Sequence, residues 1–185
     1  MGGRIAQALT IYKKDIRSCL VGIHRINAII YVVEIKDFLI EAKKATYANA
    51  NAEKVVASRR GSNDYEYSNN GMTYHDTYFG GTNFIGEEVV YGSNSEKPIW
   101  EMNYCGVTLD QKLSEEVMDK ALRPALMKVG EDDTLPVRGP RRFIKDNYEY
   151  TFNVDGDLGR FDGVEEIRKD GALIYRLRCT GGKII

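Results

Sequence analysis

The sequence predicts an α+β domain: an antiparallel β-sheet of six or seven strands, a meander plus a C-terminal hairpin, with N-terminal helices and one central helix packed on it. Three observations carry this expectation. Apolar residues recur every three or four positions up to about residue 48. From residue 65 tyrosine, valine and glycine rise and the period shortens to two. The helical period returns once, over 111–128, before the chain closes in alternating segments.

The first element is a helix over about 4–20. Ile5, Leu9, Tyr12, Ile16 and Leu20 form one stripe, continued in register by Ile23, Ile26, Ile30 and Val33. Gly22 and the β-branched run at 29–33 oppose its extension to residue 33. A second helix is expected at 34–48, with Ile35, Phe38, Leu39 and Ala42 inward and Glu41, Lys43 and Lys44 on a solvated face. Residues 49–64 read as a loop with one turn of helix. The chain thus divides into an N-terminal helical extension, 1–34, and one α+β domain, 35–185.

Strands follow. Asn70-Gly71 between alternating segments is a strong hairpin signal. "NFIGEEVVYG" and "KPIWEMNYCGVTL" add two more strands, and such short connections favour antiparallel neighbours. The helix at 111–128 carries Leu113, Val117, Ala121, Leu122, Ala125, Leu126 and Val129 at helical spacing, with Asp110 or Ser114 as its cap. Pro124 inside it predicts a kink or two short helices. Residues 130–142 read as a polar loop. Tyr148, Tyr150, Phe152 and Val154 then share one strand face, and a last hairpin turns about Asp170-Gly171.

Side chains two apart on a strand share a face. Tyr74, Asp76 and Tyr78 are therefore grouped on one strand, Glu88 lies on the next, and Trp100 and Tyr104 on the one after. Neither face of these strands is cleanly apolar, whereas a sheet with one wet face alternates cleanly. The six residues define a candidate groove for a small polar or cationic ligand, with rings to stack on and carboxylates to orient it. The competing account is plain packing: tyrosine suits strands, and a strand carboxylate is ordinarily solvated or paired. Arg138, Arg141 and Arg142, beside Pro136 and Pro140, form a candidate anion site whose competing account is a solvated loop.

Other chemistry fits poorly. The histidines are His24 and His75 alone, and no cysteine pair has zinc spacing, so no metal and no cofactor is expected. No G-x-S-x-G elbow occurs. Cys105 lacks an adjacent base and reads as a small buried hydrophobe, His75 as a surface or hydrogen-bonded histidine, and Gly80-Gly81 as a turn or bulge. Asp155, Asp157 and Glu166 match positions one, three and twelve of a calcium loop, but Gly159 and Arg160 break it, leaving two turns between strands. Adjacent Glu87-Glu88 and Glu165-Glu166 face opposite ways and form no acid/base dyad; a cross-strand pair of Asp76 with Glu88 is the arrangement left. A net charge of −1 supplies no basic field for nucleic acid or anionic lipid. Cys19, Cys105 and Cys179 are odd in number and widely spaced, which favours reduced thiols and a cytoplasmic location. The apolar run 26–35 falls short of the roughly 20 residues a membrane span needs, and no membrane association is expected.

Several segments taken in order, "FLIEAKKATYAN", "GSNDYEY", "YHDTYFGGTNFIGEEVVY", "KPIWEMNYCG", "ALRPALMKVGEDD", "VRGP", "YEYTFNVDGDL", "FDGVEEI" and "GGKI", resemble a family of small bacterial domains of unknown function, DUF5680, over about 35–184. The resemblance implies a domain found alone or behind Xre-type helix-turn-helix regulators, hence a sensory or interaction module. Residues 1–34 are too few for the usual five-helix DNA-binding domain, so nucleic acid is not an expected partner of this chain. The first functional expectation is a small-ligand-binding module. The alternatives are a domain that dimerises or binds a partner through the N-terminal helix, and a hydrolase or lyase using Asp76, Glu88 and Tyr74 or Tyr104; a binding role is preferred over an enzymatic one.

Overall fold

The computed structural model describes residues 35–92 and 97–185. The expected helix at 4–20, the extension 1–34 and Cys19 lie outside the described residues. Asp37–Ile185 forms one structural unit. The first described element, α1, is helical over 35–45, ending earlier than the expected residue 48. Thr46 closes the helix by turning its hydroxyl back onto the Ala42 carbonyl at 2.7 Å.

Eight strands follow in one antiparallel sheet: β1 (Asn63–Asn69), β2 (Met72–Gly80), β3 (Asn83–Tyr91), β4 (Pro98–Thr108), β5 (Arg142–Lys145), β6 (Tyr148–Asp157), β7 (Arg160–Lys169) and β8 (Ala172–Lys183). Their order is β1-β2-β3-β4-β8-β7-β6-β5. Two four-stranded meanders thus join along β4 and β8. Asn70-Gly71 and Asp170-Gly171 make the tight turns expected of them, with φ of 50° and 78° in the first and 50° and 81° in the second.

The sheet has one strand more than the six or seven expected. The extra strand is β5, which starts on the last residue of the expected 130–142 loop and runs through the unassigned stretch after it; "RFIK" is four residues long, at a sheet edge and largely exposed, with no alternation to betray it. The two turns expected over 155–166 are one: β6 runs through Asp157 and β7 restarts at Arg160, so only Leu158-Gly159 turns.

A helical run, α2, spans 111–126 as a 3-10 turn (Gln111–Leu113), an α-turn (Ser114–Val117), a π-turn (Met118–Leu122) and a last α-turn (Arg123–Leu126). Pro124 explains the π-turn. In a regular helix its ring would strike the carbonyl four residues back, that of Lys120, and it has no N–H to donate. The wider turn, closed by Arg123 N–H on the Met118 carbonyl, avoids the clash and sets Pro124 in the first turn of the next segment.

One sheet face is covered and the other is wet. The covered face carries Tyr74, Val90, Trp100, Met102, Tyr150, Phe152, Phe161, Ile167, Tyr175 and Leu177, all essentially inaccessible. α1, α2 and residues 134–140 all have side chains bonded to groups on that face. The opposite face shows Glu66, Asn103, Arg176 and Arg178 to solvent, together with Cys105, which is exposed rather than buried. No described helix is long and apolar enough to cross a membrane.

Candidate functional site

Three rows of side chains cross the covered face. Register places Tyr65, Asp76, Glu88 and Met102 side by side on β1 to β4. The row on one side holds Tyr67, Tyr74, Val90 and Trp100; the row on the other holds Asn63, Tyr78, Gly86 and Tyr104. All six residues of the predicted groove therefore share one face, and the cross-strand Asp76–Glu88 pair forms.

Gly86 is what lets the rows interlock. A Cβ there would lie 2.5 Å from the Tyr104 hydroxyl and 2.5 Å from the Thr77 carbonyl oxygen. Because it is absent, Tyr104 lies across β3 and donates its hydroxyl to Asp76 Oδ1 at 2.6 Å. Gly106 serves the Phe84 ring in the same way, since its Cβ would sit 2.3 Å from that ring. Phe84 in turn stacks on Tyr175 and meets Tyr104 edge-on.

From α1, Lys43 drops its ammonium onto Glu88 Oε2, with both side chains shut off from solvent (1% and 0% exposed). Three rings stand around that ammonium: Tyr47 at 5.5 Å, Tyr74 at 5.8 Å and Trp100 at 6.0 Å to their centroids. Burial lowers the Lys43 pKa, opposed by the charge and hydrogen bond of Glu88. Asp76 is the second buried carboxylate of the row. Burial first, and the neighbouring Glu88 charge second, push its pKa from 3.8 up to about 7, against the Tyr104 hydrogen bond and the more distant Lys43 and Arg138. Glu88 Oε1, the Tyr74 hydroxyl and Trp100 Nε1 have no hydrogen-bond partner among the described residues.

A cavity of about 330 Å³ opens to solvent between this face and α2. Tyr65, Asp76, Tyr78, Phe84, Glu88 and Tyr104 are among the residues that line it from the sheet; Glu115, Met118, Asp119, Leu122, Arg123 and Leu126 are among those from α2; Tyr47 and Arg138 add to it. The π-turn supplies Met118, Asp119 and Leu122, so the distortion forced by Pro124 shapes one wall.

Asp76, Tyr78, Glu88 and Tyr104 thus line the cavity. Tyr74 and Trp100 do not: both are 0% exposed, packed around Lys43, with Trp100 stacked on Phe161 at 5.9 Å. The three arginines of the candidate anion site do not come together. The Arg138 guanidinium is buried and forks onto Glu165, Nε to Oε2 and Nη2 to Oε1, each at 2.9 Å. Arg142 points outward to Glu149 at 2.7 Å, and Arg141 is exposed. The expected polar loop is polar and exposed only at its ends; its middle, Thr134 and 136–140, is a buried strap held by Arg138 and by the Gly139 N–H donated to the Tyr150 hydroxyl at 2.9 Å.

Sequence reasoning missed Lys43, Tyr47, Tyr65 and the α2 wall. Lys43 was placed on a solvated helix face. The signal was available: Leu39, Lys43 and Tyr47 are four apart, on the flank of the stripe formed by Phe38 and Ala42. His75 lies on the wet face, 4.0 Å from Asp64, away from the cavity. Among the described residues no group of three or more histidine, cysteine or acidic side chains is arranged to hold a metal ion.

Comparison with known proteins gives one match. The model of a family described as a domain of unknown function, DUF5680, matches residues 76–184, from Asp76 of the central row through the last strand. No curated protein and no solved structure matches the chain.

Proposed function

Since this chain belongs to the DUF5680 family, whose description assigns no activity, we propose on geometry that it is a small-ligand-binding module with the cleft between sheet and α2 as its binding place. The observation that carries the reading is the pair of dehydrated carboxylates, Asp76 and Glu88, set in the wall of a solvent-connected cavity of ligand size and flanked by tyrosines. A core built only for packing gains nothing from a carboxylate that titrates near neutrality, because ionising it inside the protein costs stability. A place in a sensory or regulator-associated system is the role such a module fits.

The test is a thermal-shift screen of small metabolites on the full chain, repeated on Leu122→Trp, which fills the cavity from α2. Compounds that raise the melting temperature of the native chain and not of the filled variant support the reading. Hits that persist unchanged in Leu122→Trp, or a screen without hits in any charge class, refute it.

A second reading, proton-transfer catalysis of hydrolase or lyase type, draws on one feature: Asp76, poised near neutral pH, holds a direct hydrogen bond to Tyr104. Following bound compounds by NMR separates the two. Turnover that stops in Asp76→Asn favours catalysis; hits that remain intact favour binding.

A further inference from the structure

We propose that the ligand is a small organic ammonium, its charged nitrogen seated between Asp76 and the free oxygen of Glu88 and its carbon body among the tyrosine rings. The inference rests on the binding reading above and adds the chemical class.

Unsatisfied acceptors come first. Glu88, a residue of the cavity lining, is fully buried, spends Oε2 on Lys43, and leaves Oε1 without a donor among the described residues. Asp76, its neighbour across the β2–β3 ladder, receives one side-chain donor, the Tyr104 hydroxyl. A group with several N–H donors at one point can serve both carboxylates, and an ammonium has that geometry.

Charge comes second. The cavity is lined by Asp76, Glu88, Glu115 and Asp119 against Arg123 and Arg138. Both guanidiniums are already engaged, Arg123 with Asp119 at 2.7 Å and Arg138 with Glu165, and Lys43 is taken by Glu88. Among the described residues Asp76 and Glu115 are left without an ion-pair partner, whereas the one orphan donor of the lining, Arg123 Nε, belongs to a guanidinium whose charge is already paired with Asp119, so the balance of charge favours a cation. The rings act the same way: Tyr47, Tyr65, Tyr78, Phe84 and Tyr104 present aromatic surface, which attracts cations.

The proton comes third. Asp76 faces Tyr65 of β1, Glu88 of β3, Tyr104 of β4, Lys43 of α1, Tyr47 of the turn after it, and Arg138 of the strap. Among these, Glu88 and burial favour its neutral form and the cations oppose them less. Asp76 therefore holds a proton below about pH 7. An incoming ammonium replaces that proton, and its affinity rises with pH until Asp76 is ionised and then levels off.

The experiment is calorimetric titration of the full chain with three probes of one shape and three charges: benzylamine, benzyl alcohol and benzoate. Benzylammonium is expected to bind, about tenfold more weakly near pH 6 than near pH 8 by linkage to a group titrating near 7. Asp76→Asn should weaken it at least tenfold and flatten the pH profile, and Leu122→Trp should abolish it. Binding of the alcohol or of benzoate as tight as that of the amine, blocked by Leu122→Trp, overturns the ammonium inference and leaves a ligand-binding cavity standing. Amine binding that Leu122→Trp or Asp76→Asn leaves intact lies elsewhere and overturns the inference. Silence of all three probes at millimolar concentration overturns it as well, and the metabolite screen then decides separately whether the cavity binds anything.

Discussion

Replacing Asp76 by asparagine should make the protein more stable at neutral pH, and increasingly so as pH rises. The side chain is 2% exposed, and its carboxyl titrates at about 7 in the folded chain against 3.8 for the free group. Between those values the folded state holds a proton that the unfolded chain has released, so stability falls as pH rises through the interval. Below 3.8 there is no penalty; above about 7 it is complete. At about 1.4 kcal/mol for each tenfold step, the full penalty is roughly 4 kcal/mol. Asparagine cannot ionise, keeps the volume, and keeps an oxygen for the Tyr104 hydroxyl. Urea unfolding of both proteins across pH 4 to 8.5 at fixed ionic strength reads the difference, and all other titrating groups largely cancel in the subtraction. The variant should be within about 1 kcal/mol of the native chain near pH 4 and gain steadily above pH 5, toward several kcal/mol by pH 8. A difference that stays flat over this range would refute the assignment of a near-neutral buried proton to Asp76.

Three further outcomes follow from the same geometry. Arg138→Met should cost about 3–5 kcal/mol in urea unfolding, because it strands the buried Glu165 charge; a loss under 1 kcal/mol would show that the fork is not holding the strap. Gly86→Ala should cost about 1–3 kcal/mol by driving its methyl into the Tyr104 hydroxyl and the Thr77 carbonyl, and an unchanged urea midpoint would contradict the close crossing over β3. In native-state thiol labelling read by mass spectrometry, Cys105 should react readily while Cys179, whose thiol burial pushes up to about 12, stays protected until the chain unfolds; equal labelling would place Cys179 at the surface.

The face of the sheet was legible because alternation is a property of the single strand. Once Asn70-Gly71 and the short β2–β3 connection pin the register of β1 to β3, Tyr74, Asp76, Tyr78 and Glu88 must fall on one side, and the β3–β4 pairing brings Trp100 and Tyr104 to the same side. The same parity puts Cys105 opposite Tyr104, on the wet side, so its burial was misjudged although the pattern held the answer. What alternation cannot say is how deep each position lies. Tyr74 and Trp100 sit under α1, and that depends on a helix reaching across from far along the chain. Lys43 and Arg138 were misplaced for a related reason. A lysine in a helix or an arginine in a loop ordinarily signals solvent; only their partners, Glu88 forty-five residues away and Glu165 twenty-seven away, make burial tolerable. Pairing over such distances leaves no local trace.

The covered face holds two buried acidic centres, and the contrast between them separates structure from function. Glu165 is saturated: Oε2 takes Arg138 Nε and the Tyr150 hydroxyl at 2.7 Å, Oε1 takes Arg138 Nη2 and the Tyr175 hydroxyl at 2.9 Å. Nothing is left for a ligand, and the centre does one thing, which is to fasten the 134–140 strap to β6, β7 and β8. The Asp76–Glu88 centre has more acid than base, one carboxylate oxygen without a donor, and an opening to solvent. Evolution had available, on the same sheet, the means to neutralise a buried carboxylate completely. The incomplete neutralisation at Asp76 carries a cost of several kcal/mol at neutral pH that Glu165 avoids. In the proposed binding mode a positively charged group arriving from solvent would remove that cost, and the energy released would add to its affinity. This is why the proposed binding place is the cavity rather than the equally buried arginine fork.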